Sequence, residues 1–579
     1  MGIPEEEQKV LESLEHEIGG PIPEVEEVEY YIFGYMVKNE QITDLGLFSC
    51  GLTYIPDFIT SLKNLKRIYL RGNYLDKISD EFCTLSNIEI LDLSENKLKN
   101  LPESINRLKS LKELHLESNN LTTLPESLGA LNNLEFLDLS ENNLKELPDS
   151  LNNLKKLKTL DLSGNKLNFF NENLDSLTSL EVLYLGNNEL TTLPESIGSF
   201  PSLRRLNVRN NNLKTIVETI GSLTSLNSLF LKGNKLESLP DSIQGLKNLK
   251  YLGLKENNLK SLPETLGSLI SLENLSLSSN NLTELPNSLG SLKSLMRLTI
   301  RNNNIKSLPE SIGKLSNLKI LRLERNFLTN LPKSIGRLTK LESLKIALNK
   351  LQSLPESIGS LTSLKELDLY DNVIEILPES IGSLTSLEIL DLSKNNVKIL
   401  PKSIGKLSSL RELDLSNNKL SSLPETVGNL LLIKNIVLGF NQLKTIPQSI
   451  GLLSTLEILD LGKNHLVEIP DSIGSLKSLK YLYLYYNELK DIPKSIGKLL
   501  SLKYFYLGNN RLKIIPKSVG MLKSLKYLFL RSNLLKNMEP IIALESINTL
   551  KYLNLEKNKF KWFSDSLTEL EKRGVKIFK

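Results

Sequence analysis

Leu111-Lys112-Glu113-Leu114-His115-Leu116-Glu117-Ser118-Asn119-Asn120-Leu121, followed by Leu124-Pro125-Glu126-Ser127-Leu128-Gly129-Ala130-Leu131, is the stretch on which the fold turns. Its Asn119 returns every 23 residues, forward as Asn142, Asn165 and Asn188 to Asn533, and backward as Asn96 and Asn73. Cys50 stands in the slot one repeat earlier, and Asn558 closes the series after a step of 25. The comb has 23 slots, 22 of them asparagine, and a period of this length marks a repeat solenoid.

Leu111, Leu114 and Leu116 alternate as in a short strand whose leucines point inward. The asparagine that follows carries both donor and acceptor groups, so once buried it can satisfy turn backbone that would otherwise be stranded. Replacing Asn303 by alanine is expected to unpair such groups, and the exposed neighbour Asn302 is expected to be neutral. The Leu-Pro-x-Ser-Ile-Gly half supplies a proline-stiffened turn and a short helical turn, with Ser and Gly expected to shape the turn. Parallel strands spaced about 4.8 Å apart would build a sheet on the order of 110 Å long.

In the order LPxSIGxLxxLxxLxLxxNxL, these residues resemble the 23-residue class of the leucine-rich repeat family, found in bacterial and archaeal repeat proteins and in eukaryotic Ras-suppressor and scribble-type scaffolds. The resemblance covers residues 42–560. It implies an α/β fold, a curved horseshoe solenoid with a parallel concave sheet and short helical or 3-10 turns on the convex side. It also implies protein partners bound on the concave sheet.

Solenoid ends must differ from the middle. Residues 1–41 form an acidic N-terminal cap with eleven glutamates and two lysines. A helix is predicted from Glu5 to Ile18, a strand from Val28 to Val37, a turn at Lys38-Asn39-Glu40, and the first repeat strand from Ile42 to Leu47. The 23-unit solenoid occupies residues 42–560, and residues 561–579 form the C-terminal cap. There Trp562 reads as a hydrophobic lid and Ser564 as an N-cap. A short helix carries Leu567 and Leu570 up to Gly574, and an edge strand runs from Val575 to Phe578. The proline slot fails at Ser79, Asn171, Val217 and Glu539, and two extra residues enter near Met538–Ile542.

Hydrophobic residues make up 40% of the 579, so a core is available, and with aromatics at 6% it must be built from leucine and isoleucine. A net charge of +4 excludes a strongly basic nucleic-acid binder. Two cysteines, Cys50 and Cys83, make neither a disulfide framework nor a zinc cluster, so the chain reads as one of a reducing compartment; Cys50 reads as a buried small residue. The opening residues lack a secretory pattern, and no apolar run is long enough to span a membrane, so a cytoplasmic location is expected. His16, His115 and His465 are too far apart to share a site, and no phosphate-binding glycine motif is present. No enzyme, cofactor or metal is therefore expected. Asp368, Asp391 and Asp414 fall in adjacent repeats, where neighbouring Lys365, Glu366 and Arg411 explain them better than a cation does.

Partner information must sit in the variable strand positions. Early repeats offer acidic residues there: Glu89, Asp92, Glu113, Glu117, Glu135, Asp138 and Glu141. Arg204, Arg205 and Arg209 follow; then Arg297, Arg301, Arg322, Arg325 and Lys345 make a secondary patch suited to an acidic protein surface. The principal candidate site is aromatic: Tyr481, Tyr483, Tyr485, Tyr486, Tyr504, Tyr506, Tyr527, Phe529 and Tyr552, closed on one side by Arg531 and flanked by Lys480, Lys503 and Lys526. Registry places Tyr481, Tyr504, Tyr527 and Tyr552 in one column and Tyr483, Tyr506 and Phe529 in another. Tyrosine concentrates in binding sites, although cross-strand ring stacking alone also stabilises a sheet. Leu348 and Phe440 read as isolated packing residues. The expectation is a monomeric, non-enzymatic scaffold or adaptor for a protein partner. The alternatives are a regulator of a small GTPase or signalling enzyme and a structural or adhesive repeat protein.

Overall fold

Seven apolar side chains per repeat have to leave water together. In one repeat these are Leu387, Leu390, Leu392, Val397, Leu400, Ile404 and Leu407, each at most 2% exposed. Each such burial stabilises by roughly 1.5–3 kcal/mol, which makes this column the main driving force for coiling. The computed structural model describes residues 3–29, 31–171, 174–561, 563 and 565–579, arranged as two compact units, 1–282 and 283–579.

The first unit opens with the helix Glu5–Ile18 and an antiparallel pair, Gly34–Lys38 with Gln41–Gly46. Parallel three-residue strands then run from Arg67–Tyr69 to Asn274–Ser276. The helix buries Val10, Leu11 and Leu14, and its buried Glu7 accepts the backbone N–H of Ile42 at 2.7 Å. The strand expected from Val28 begins only at Gly34. Val28 is instead fully buried, while Tyr35 bonds to the preceding segment 23–25, Val25 N–H donating to the Tyr35 carbonyl and Tyr35 N–H to that of Pro23.

In the second unit parallel strands run from Arg297–Thr299 to Tyr552–Asn554, and Lys576–Phe578 is added in parallel. The helix Asp565–Lys572 buries Leu567 and Leu570 and ends before the left-handed Gly574. The lid and cap readings of Trp562 and Ser564 lie outside the described residues, as do Glu172 and Asn173 of the rewritten stretch after Phe169. The two-residue insertion becomes one α-helical turn, Glu539–Ile542, with Met538 and Ile541 buried.

The asparagines form the expected ladder. Asn395 Nδ2 donates to the carbonyls of Leu369 (2.9 Å) and Leu392 (3.0 Å), and its Oδ1 accepts the N–H of Ile374 at 3.0 Å. One amide thus ties together two coils. Cys50, in the first slot, is half-buried rather than buried, with its thiol against the Phe48 carbonyl, and burial pushes its pKa up to about 11.

Two repeat positions do work that the sequence reading missed. The residue before each ladder asparagine is left-handed, for example Asn302 (φ 53), Leu348 (φ 58) and Phe440 (φ 58). Leu348 and Phe440 are therefore backbone positions held against their preference rather than simple packing residues. The glycine of Ser-Ile-Gly, by contrast, does not serve through its dihedrals. A Cβ on Gly359 would collide with the Ser380 carbonyl of the next coil, so glycine there sets how closely coils approach.

Asn395→Ala is expected to cost about 1–3 kcal/mol, because it orphans buried backbone groups. Gly359→Ala is expected to cost about 1–3 kcal/mol by overpacking. Asn302→Ala, expected to be neutral from sequence, should cost about 1 kcal/mol because alanine tolerates the left-handed region less well. Denaturant melts of the three variants check all of these.

Candidate functional site

Alternation in each strand leaves the flanking and central variable residues on the face opposite the leucines. The outer flank carries an unanticipated ion ladder. In the first unit Lys66, Glu89, Lys112, Glu135, Lys158, Glu181 and Arg204 follow one another at repeat spacing. Glu89 lies 3.4 Å from Lys66 and 2.6 Å from Lys112, and Glu135 2.7 Å from Lys158. Hydrogen bonds from Lys112 and Lys158 hold the Glu89 and Glu135 carboxyls below the usual range. These glutamates, read from sequence as available to a partner, are committed to neighbouring strands. A 23-residue alternation of Lys and Glu was the signal that could have revealed it.

The second unit continues the pattern with Glu342 between Lys319 (3.7 Å) and Lys365 (3.3 Å), Glu388 with Arg411 (3.5 Å), and Glu457 with Lys480 (2.6 Å). Beyond Lys480 it stops.

The arginine patch is less basic than its sequence suggested. Arg301 pairs with Glu324 at 3.2 Å and Lys345 with Glu366 at 2.6 Å. Burial pushes the Glu324 carboxyl up despite Arg301 and Arg322 nearby. Arg297 and Arg325 are exposed, Arg322 is half-buried, and Arg325 occupies a left-handed position.

The central column changes chemistry along the strands: Arg322, Lys345, Asp368, Asp391, Asp414, Val437, Asp460, Tyr483, Tyr506 and Phe529 are register neighbours in turn. Each aspartate turns back on its own chain. Asp391 accepts the Ser393 N–H, Asp414 that of Ser416 and Asp460 that of Gly462, all at 2.8 Å. Burial raises the pKa of Asp368, Asp414 and Asp460. Among the described residues no group of three or more His, Cys, Asp or Glu side chains is placed to hold a metal ion.

The aromatic residues do meet. Tyr481 stacks on Tyr504 at 4.7 Å and 10°, and Tyr504 on Tyr527 at 4.7 Å and 3°. Tyr483 stacks on Tyr506 at 4.8 Å, and Tyr506 on Phe529 at 4.3 Å. Tyr552 joins both columns, 6.2 Å from Tyr527 and 4.9 Å from Phe529, and passes the contact to Phe578 at 5.0 Å. Because the rings stack on one another, the ridge offers edges and hydroxyls more than faces, and its members from Tyr481 to Tyr552 are half-buried. Tyr485 meets Tyr483 edge-on at 6.4 Å, over Gly462, where a Cβ would strike its ring. Burial, with Tyr506 and Asp460 adding to it, pushes the Tyr483 phenol up to about 12, so it remains a donor at neutral pH. Tyr486 stands apart in a left-handed position, more than half exposed, with the Lys463 ammonium 5.4 Å from its ring. Arg531 lies 3.8 Å from Glu556 and is partly neutralised.

This geometry defines a class, the parallel-strand repeat solenoid with a variable sheet face. Family models described as "Leucine-rich repeat region" and "Leucine rich repeat" match it, the first at 190–277, 240–305, 297–373 and 470–575, the second in overlapping segments across 42–190 and 371–489. The chain belongs to the leucine-rich repeat family. No curated protein matches it. Among solved structures it is similar to a leucine-rich repeat protein of Leptospira interrogans (32% identity, 72% of this chain, 95% of that chain, TM-score 0.51). It is also similar to the plant peptide hormone receptor RGFR1 in complex with RGF2 (29%, 93%, 91%, 0.65). A third is the leucine-rich repeat ectodomain of the Arabidopsis receptor kinase HAESA with an extended IDA peptide hormone ligand (29%, 96%, 93%, 0.59). The family match makes the chain a repeat-solenoid protein, the architecture that these receptor ectodomains share.

The cytoplasmic expectation is corrected by the same finding, since similar chains are receptor ectodomains. Its physical basis was weak. A solenoid held by leucine columns and amide ladders needs no disulfides in any compartment, so a low cysteine count carries no information about location.

Asp460 yields a signed pH prediction. Its folded-state pKa is raised above the ordinary 3.8, so the stability linked to its proton is complete below that value and is lost as pH rises through the folded pKa. Asp460→Asn keeps an acceptor for Gly462 and should raise the melting temperature at neutral pH, with the gain vanishing below about pH 3.5. Paired thermal melts across pH check it.

Proposed function

We propose that the protein is a monomeric interaction scaffold that docks a protein partner on the sheet face of its second unit, along the ridge of Tyr481, Tyr483, Tyr504, Tyr506, Tyr527, Phe529 and Tyr552. The observation that carries this reading is the pair of aligned ring columns across three adjacent strands, extended by the tilted Tyr552, each ring half-buried and each tyrosine adding a polar tip to its apolar edge. Three strand spacings span about 15 Å, the width of a hot-spot cluster. RGFR1 in complex with RGF2 and the HAESA ectodomain with its peptide ligand support partner binding by a solenoid of this kind. Tyr485, Tyr486 and Arg531 form the rim, and Arg297, Arg322 and Arg325, with the salt-bridged Arg301 and Lys345, form a secondary patch. The caps at 1–41 and 561–579 close the 23-unit solenoid of 42–560. A narrower role as a small-GTPase regulator rests on the resemblance of the repeat consensus to Ras-suppressor scaffolds alone.

Affinity capture followed by calorimetric titration tests the reading. Tyr483→Ala and Tyr506→Ala should each weaken binding by about 2 kcal/mol or more. Loss of stacking should cost about 0.5–1.5 kcal/mol of stability, measured separately by melts. Unchanged affinity in the double variant overturns the proposal.

A further inference from the structure

The flank of the ridge departs from the alternation that marks most of the ion ladder. Elsewhere along the ladder cations and carboxylates alternate, with uncharged breaks at Asn227 and Met296 and a single like-charge pair, Arg411 and Lys434, that Glu457 closes. After Lys480, which Glu457 holds, come Lys503, Lys526 and Lys551 without an intervening acid, and Lys576 follows on the last strand. Backbone hydrogen bonds of 2.8–2.9 Å link each to the one before, from Lys503 N–H on the Lys480 carbonyl to Lys576 N–H on that of Lys551. Among the described residues none of these last four lysines has an ion-pair partner. Like charges at strand spacing repel, so the run weakens the sheet as it stands.

The run lies beside the ring columns. It ends in a groove of about 720 Å³ lined by Lys526, Lys551, Lys576, Tyr527, Tyr552 and Phe578. Resting on the partner reading above, we infer that this lysine run is an acidic-peptide track: it takes an extended partner segment whose carboxylates replace the missing rungs of the ladder. Lys503 to Lys551 span about 10 Å, the reach of three or four extended residues, and the groove admits the segment's end. The hydroxyls of Tyr527 and Tyr552 in the groove lining add donors for the same carboxylates or for backbone carbonyls. A single-stranded nucleic acid is a poorer fit, because its bases need free ring faces and these rings cover one another at 4.3–4.8 Å.

The test uses the full chain and a fluorescein-labelled octaglutamate, with octaglutamine as the neutral control, read by anisotropy at low ionic strength. Lys503→Glu puts a carboxylate back between Lys480 and Lys526 and so restores the alternation; it should raise the melting temperature and weaken octaglutamate binding about tenfold or more. Lys419→Glu makes the same charge change at an exposed site off the ladder and should leave binding nearly unchanged. Equal weakening by both variants would reduce the effect to net charge and overturn the track. So would stabilisation by Lys503→Glu with binding intact, or tighter binding of an oligothymidylate of equal charge. Concentration-dependent self-association abolished by Lys503→Glu would assign the track to the acidic N-terminal helix of a second copy and overturn the partner-peptide assignment. Tyr483→Ala and Tyr506→Ala should keep octaglutamate binding, so failure of the ridge reading and failure of the track are told apart.

Discussion

Everything in this molecule depends on giving partners to backbone polar groups in a chain that is mostly turn. Three-residue strands and short 3-10 turns leave most N–H and C=O groups of each coil outside regular ladders, and burying them unpaired would cost more than the leucines contribute. The recurring asparagine meets that demand. Its amide donates inward to two carbonyls and accepts from the coil before it, as Asn395 does with Leu369, Leu392 and Ile374. The leucine column drives stacking, and the amide ladder makes stacking compatible with hydrogen bonding.

With interior positions thus committed, the sheet face is where the repeats differ, yet much of that face is also structural. Lys112 and Glu89 hold adjacent strands together, the aspartates of the central column close turns on their own backbone, and Arg301 and Lys345 are neutralised by Glu324 and Glu366. The ridge from Tyr481 to Tyr552 and the lysines beside it are where self-satisfaction runs out. Hydroxyls and edges remain after the rings have stacked, and ammonium groups remain where no glutamate follows. A surface whose own pairing is incomplete has affinity left for something else.

Much of this was legible in the sequence because the period is rigid. Registry by 23 residues put Tyr483 beside Tyr506 and Asn372 beside Asn395 before any coordinates, and alternation assigned faces. The Lys–Glu ladder is equally present at that spacing, but within its own repeat each glutamate is only an exposed charge, and its partner lies one repeat on. The left-handed residue before each asparagine was only partly legible: glycine, asparagine or aspartate fill it in nine slots, as at Gly72, Asn187 and Asp371, but serine, glutamate, leucine and phenylalanine in others blur that preference.

The sequence by itself determined the repeat, the inward leucines, the ladder and the columns, since all follow from local alternation and a fixed period. Tertiary structure alone decided how closely coils approach and what each exposed group does on arrival. Gly359 is needed because Ser380 of the next coil presses on it, the tyrosines show edges because 4.7 Å spacing forces their faces together, and the pKa of Asp460 rises because neighbouring strands remove its water. Those are effects of contact and desolvation, which depend on distances that a one-dimensional pattern does not carry.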